Sequence, residues 1–270
     1  MTVTATSLLF MHGWGTDSSV WDGSAKEIAD GRPWRALDLP GHGGTERWDS
    51  ETLAPALREI AAVTAEADGN GTIGIGWSLG GMALLKAASL EPTLFKALVL
   101  VSTGASFVAR PGLEFGAPRA RVRMMLEGMR NKTEETINKF YPLNFTAEEA
   151  KSRQAKEFIS HYAPPGPIRC TAPGSTEPPG CYPAFDYTEI TNALAALGSI
   201  DLRAEAKGLT VPTLILHGAK DSVCSVEAGT ALHELLKNSK MERFTETGHA
   251  PFITRRERFN RVVADFIKTL

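Results

Sequence analysis

Ser78 lies in Gly76-Trp77-Ser78-Leu79-Gly80, a G-x-S-x-G pattern placed where an apolar run (71–77) ends and a helical pattern (80–92) begins. A serine hydroxyl is a weak nucleophile near neutral pH, so this turn implies a base to take its proton and a carboxylate to orient that base. For a nucleophile on a strand-to-helix turn, the partners follow in the order Ser, acid, His. Among six histidines, His249 in TGHAPF falls between the last strand pattern and the last helical one, where a loop returns to the C-terminal edge of the strands. His12 and His42 stand in glycine turns ahead of the serine and read as loop-shaping residues. His161 and His233 fall on helical patterns, while His217 ends a strand and keeps a small rival claim to be the base. The expected acid is Asp221 in LILHGAKDSV, ahead of Asp38 in LDLPGHG and Asp201 in IDLR, which read as structural. Acyl transfer also needs two N–H groups aimed at the developing oxyanion. Leu79 supplies one; Trp14 in HGWG is the expected second, its indole walling the site. The competing reading is a phosphate loop, but no G-x-x-x-x-G-K or G-x-G-x-x-G accompanies the turn.

These residues need a scaffold that brings distant loops to one edge. Strand-like runs at 6–12, 34–39, 71–77 and 95–102 alternate with helical patterns at 19–30, 51–67 and 80–92. Such alternation predicts an α/β fold with a mostly parallel sheet and helices on both faces. From about 106 to 202 the rhythm changes to helical patterns and then a Pro- and Gly-rich stretch, with no strand of comparable strength. It resumes with a strand at 212–218, a helix at 227–238, a strand at 240–246 and a helix at 255–270. The organisation expected is a core in two parts, 1–105 and 203–270, interrupted by a helical cap with a long loop over 106–202.

The composition excludes some partners. The chain has 270 residues, 43% of them hydrophobic, and a formal charge of -2, which offers no field for nucleic acid. The first apolar run is short and meets a glycine turn directly, so it reads as a strand and not as a leader or membrane span, with a cytoplasmic location as the default. Cys170, Cys181 and Cys224 have neither disulfide-framework nor zinc spacing, and free thiols are expected.

HGWG, DLPGHG, GWSLGG, LVLVSTGASFVAR, IDLR, LHGAKDSV and GHAPFI together resemble the α/β-hydrolase superfamily. Within it they resemble the esterases that act on pimeloyl-acyl-carrier protein methyl ester in biotin synthesis. The resemblance runs over 6–110 and 198–265. It implies Ser78, Asp221 and His249 as catalytic triad, Trp14 and Leu79 as oxyanion donors, and no metal or cofactor. It also implies that the segment Phe140, Tyr141, Pro142, Leu143 and Asn144, with Trp14, contacts the acyl chain. The implied partner is an acyl-carrier protein bearing a methyl-esterified dicarboxylic chain, docking on the cap near Lys139, Lys151, Arg153 and Lys156, with the enzyme a monomer. The chain departs from that pattern in leaving little room for a leading hairpin, in the long loop from Pro164 to Tyr182, and in Glu135, which stands where a basic contact is expected. The same residues are compatible with a general short-chain esterase or a carbon-carbon bond hydrolase. A non-catalytic ligand-binding relative is the alternative from another class.

Overall fold

The computed structural model describes residues 6–43, 47–65, 71–163 and 185–270. Six strands, β1 (Ser7–Met11), β2 (Trp34–Leu37), β3 (Thr72–Trp77), β4 (Phe95–Val101), β5 (Thr213–Gly218) and β6 (Ser239–Phe244), form one sheet in the order β2-β1-β3-β4-β5-β6. Every pairing is parallel, so the expectation of a mostly parallel sheet is met in full among the described residues. The central strands β3 and β5 are buried along their whole length, as continuous apolar runs covered on both faces must be. The edge strands β2 and β6 carry exposed positions instead.

Core helices α1 (Ala25–Ala29), α2 (Ala54–Ala65) and α3 (Leu79–Leu90) follow the first three strands. The insertion contributes α4 (Arg119–Asn131), α5 (Thr133–Phe140), α6 (Arg153–Tyr162) and α7 (Tyr187–Ser199). The chain then re-enters the core through α8 (Arg203–Gly208) and closes with α9 (Val226–Leu235), α10 (Pro251–Thr254) and α11 (Arg256–Ile267). Strand order reverses between β1 and β3, and the crevice outside that reversal is where an open parallel sheet places its ligand site. The HGWG loop after β1 and the serine turn after β3 both open into it.

Local chemistry moves some boundaries. The helical pattern over 19–30 splits into a 3-10 turn (Ser18–Trp21), capped by Asp17, and the short α1. Between them Gly23 lies against the Arg256 guanidinium, where a Cβ would come within 2.4 Å of Arg256 Cζ. The helical pattern of the sequence TAEEAKSRQAKEFISHY within the insertion breaks at Ser152, whose extended backbone and side chain cap α6 through Ala155 N–H. Helix α7 was not anticipated, although Asp186, accepting the N–H groups of Thr188 and Glu189, marks its start.

The insertion is fastened to the core by contacts of Trp14 with Phe140 and of Trp77 with Phe158 and by hydrogen bonds, and a stack of rings braces the insertion itself. Tyr141 stacks on Tyr162 with ring centres 5.5 Å apart, and Tyr162 stacks on Phe185. The Tyr141 hydroxyl donates to the carbonyl of Gly15, Tyr162 donates to Asp17, and the Trp14 indole donates to the carbonyl of Ile190 at 2.6 Å. Cys224 is a buried free thiol. Cys170, Cys181 and the Pro164–Tyr182 loop lie outside the described residues.

Candidate active site

Ser78 sits at φ 52, ψ -114, a conformation costly for a residue with a Cβ. Its N–H donates to Val101 O at 2.9 Å, extending the β3–β4 ladder one residue past the strand, and the chain then turns at once into α3. Glycine is required on the inner side of that turn. A Cβ on Gly80 would stand 2.4 Å from the carbonyl oxygen of His12, and one on Gly76 2.6 Å from Gly81 N. The G-x-S-x-G spacing thus lets β1, β3 and α3 close around a serine displayed at the sheet edge.

His249 Nδ1 is 2.6 Å from Asp221 Oδ2. This bond fixes the tautomer with the proton on Nδ1 and leaves Nε2 unprotonated, able to accept a proton. Asp221 follows β5, and its Oδ1 accepts the backbone N–H groups of Val223 at 2.8 Å and Cys224 at 2.9 Å. Burial works against its ionisation, but the charge of His249 and hydrogen bonds from His217 and His249 outweigh it and hold the carboxyl well below its usual range. His249 is positioned by its backbone as well. His249 N–H donates to Asn144 O at 2.8 Å, Trp77 Nε1 donates to His249 O at 2.9 Å, and Gly248 N–H donates to Glu149 Oε2 at 2.7 Å. Asn144 and Glu149 belong to the cap, so the insertion holds the histidine loop directly.

Ser78 and His249 line one narrow, partly open cavity with Gly13, Trp14, Trp77, Phe107, Met125, Phe140, Asn144, Leu194, Leu197 and Val223, a space of about 340 Å³ with its open mouth included. The wall is apolar except for the serine, the histidine and Asn144, whose Oδ1 is buried without a hydrogen-bond partner. Of the segment expected to touch the acyl chain, Phe140 and Asn144 reach the cavity. Tyr141, Pro142 and Leu143 do not line it: Tyr141 is a buried brace against the Gly15 loop, and Pro142 and Leu143 face outward. The backbone N–H groups of Trp14 and Leu79 meet no acceptor among the described residues.

The rival residues have other work. His217 Nε2 donates to Cys224 O at 2.8 Å and lies 3.3 Å from Asp221 Oδ2, so it braces Asp221, and it does not line the cavity that holds Ser78. Burial lowers its affinity for a second proton, and the bonds to Asp221 and Cys224 raise it by more. Its Nδ1, however, is buried with no acceptor, so the neutral Nε2–H form is the one this cage satisfies. His12 Nε2 accepts Leu39 N–H and His42 Nε2 accepts Gly15 N–H, shaping the loop that carries Trp14. Asp38 accepts Ser18 N–H at 2.5 Å, and Asp201 pairs with Arg203 and Arg110. Of the residues expected to dock a carrier, Lys139 pairs with Glu135, Lys151 with Glu148 and Arg153 with Glu157. Sequence reasoning missed Leu194 and Leu197, whose i, i+3 spacing on α7 was a readable signal, and Glu149, which nothing in the sequence distinguished from a surface carboxylate.

Residues 6–255 match the model of the α/β-hydrolase fold family. Curated relatives include the pimeloyl-[acyl-carrier protein] methyl ester esterase of Nitrosomonas europaea, 27% identical over 255 residues that cover 93% of this chain and 92% of the relative. That of Chromobacterium violaceum is 26% identical over 269 residues, covering 97% and 94%. Among solved structures, an esterase from Exiguobacterium antarcticum superposes with a TM-score of 0.82 at 21% identity, over 98% of this chain and 92% of the other. No helix among the described residues is long and apolar enough to cross a membrane. With its six-stranded parallel sheet and the serine turn at the strand-order reversal, and with nearly all its length matched, the chain belongs to the α/β-hydrolase fold family.

Proposed function

We propose that this protein is a serine carboxylesterase that hydrolyses the methyl ester of a dicarboxylic acyl chain borne by an acyl-carrier protein, the substrate named for its curated relatives. The observation that carries the reading is the 2.6 Å bond between His249 Nδ1 and Asp221, with His249 and the strained Ser78 lining one cavity. Ser78 Oγ attacks the ester carbonyl while His249 Nε2 takes its proton, and Asp221 stabilises the imidazolium. The N–H groups of Trp14 and Leu79 receive the oxyanion. His249 returns the proton to the departing methanol, and water activated by the same imidazole then releases the acid from Ser78. The apolar wall favours the methyl ester over its product, because a free carboxylate there would lose hydration with no cation to pair with. Hydrolysis therefore expels its own product.

The test compares kcat/KM for methyl pimeloyl-carrier protein, methyl pimelate and a short p-nitrophenyl ester. The carrier-bound ester is expected to be preferred; equal rates on all three would replace this reading with that of a general esterase. Ser78→Ala should stay folded and lose roughly a thousandfold or more in turnover. A fluorophosphonate probe should label the parent at Ser78 alone.

A further inference from the structure

Asn144 is the one polar side chain of the cavity wall that the reaction above leaves without a task. It is 1% exposed, and its backbone carbonyl accepts His249 N–H. Its side chain is oriented by Tyr141 O, which can only accept, so Nδ2 donates to that carbonyl at 2.9 Å and Oδ1 is left over. That oxygen is buried with no hydrogen-bond partner. A buried acceptor left unpaired is costly, so one held in the wall beside Ser78 and His249 points to a donor that comes and goes with the reaction.

The chemistry of the cycle narrows what that donor is. The ester, its apolar chain and the ionised acid offer acceptors or nothing at this end of the cavity. Methanol has a single O–H, and its proton is the one His249 Nε2 supplies as the alcohol departs. Water brings two. When it attacks the acyl group on Ser78, one O–H is directed to His249 Nε2, and the second meets a wall built of Trp14, Phe140, Leu194 and other apolar side chains. The Trp14 and Trp77 indoles can only donate, and Ser78 Oγ then carries the acyl group. Among the side chains of that wall, the remaining oxygen or nitrogen acceptor is Asn144 Oδ1.

We propose that Asn144 Oδ1 accepts the second O–H of the water that releases the acid from Ser78, and so makes the acyl-enzyme select water over methanol. The water oxygen bonds to the acyl carbon as Nε2 takes one proton. The bond from that carbon to Ser78 Oγ then breaks, and Nε2 returns its proton to Oγ. The second proton stays on the new carboxyl group, held to Oδ1 until the acid leaves. Methanol attacking the same acyl group also gives its one proton to Nε2, but it sets a methyl group against Oδ1, which still has nothing to accept. Remaking of the methyl ester is thereby disfavoured. The proposal rests on the acyl-enzyme step of the reading above and not on the identity of the carrier.

The experiment supplies the p-nitrophenyl and phenyl esters of hexanoic acid in buffer with added methanol, and measures the ratio of methyl hexanoate to hexanoic acid formed. Stopped-flow release of p-nitrophenol with enzyme in excess gives the acylation rate separately. The proteins are the parent, Asn144→Leu and Asn144→Gln. The ratio belongs to each acyl-enzyme formed, so a loss of folded protein does not change it. Asn144→Leu should raise the ratio about tenfold and slow deacylation about tenfold or more, with acylation within about threefold of the parent. Asn144→Gln, which keeps an acceptor on a longer arm, should recover part of the ratio. The role of Asn144 is overturned if the leucine variant leaves the ratio within about twofold of the parent, if acylation and deacylation fall by the same factor, as a displaced His249 would cause, or if the glutamine variant matches the leucine one. In those cases a parent whose ratio is the same from both esters keeps the acyl-enzyme reading intact. A parent whose ratio depends on the leaving group has no shared acyl-enzyme, and overturns that reading and the role of Asn144 together.

Discussion

Asp221 divides its two oxygens between two tasks. Oδ1 is held by the N–H groups of Val223 and Cys224, while Oδ2 faces His249 and His217. Asp221→Asn keeps the size and offers an amide where the imidazole needs an acceptor, so the His249 tautomer is lost. Turnover should fall roughly a thousandfold or more, with little change in secondary structure by circular dichroism. Asp38→Asn should behave in the opposite way. Its carboxylate accepts Ser18 N–H beside the buried His12, so weakening it should lower the melting temperature while kcat per folded molecule stays near that of the parent. Loss of turnover in Asp38→Asn at parental stability would reverse the assignment of the acid.

Two elements meet at His249, the loop after β6 and the cap segment Asn144–Glu149. Glu149, only 4% exposed, accepts Gly248 N–H, Thr146 N–H and the Thr254 hydroxyl. Glu149→Leu strands these donors in a dry interior and should cost about 3 kcal/mol in urea unfolding. It should also lower kcat about tenfold with little change in KM, because the imidazole loses its register, and Glu149→Gln should recover part of both. On the opposite side of the serine, Gly80→Ala drives a methyl group into the His12 carbonyl and should destabilise by about 3 kcal/mol or more. These elements differ in how far they could be read from sequence. The turn around Ser78 was legible because sterics permit few residue types at Gly76 and Gly80, and the Asp221 and His249 loops because strand alternation dates each to a sheet edge. The Glu149 clasp was not, since it joins positions about a hundred residues apart and a buried acceptor of backbone N–H has the same residue type as a solvated one. Likewise Tyr141 sits amid a segment expected to touch substrate, yet the one-residue rotation of a 3-10 turn directs it to Gly15 instead.

The whole molecule is built around histidines that must stay neutral. Burial pushes His12 down to about 4 despite its hydrogen bond to Gly13 O, and burial together with His12 pushes His42 to about 3. The unfolded chain takes up these protons near pH 6.5, whereas the folded protein refuses them until far lower pH. Stability is therefore full above about pH 6.5 and is lost as the pH falls towards 4, at about 1.4 kcal/mol per unit for each group. Urea unfolding at pH 7, 5.5 and 4.5 should show this decline, and His42→Gln should flatten it. Asp221, with its depressed pKa, adds a further loss of the same sign once the pH falls below the ordinary carboxylate range.

The grip of Asn144 and Glu149 on the histidine loop also sets how this protein can be recombined. Exchanging the cap for that of another hydrolase would remove the acceptors of the His249 and Gly248 N–H groups along with the cap's part of the cavity wall. Chimeras should therefore keep residues 144–149 with the core and exchange segments on either side, so that α4 and α7 become the interchangeable parts. The cavity wall can then be altered at Met125, Leu194 and Leu197 while the hydrogen bonds that hold the histidine loop stay in place.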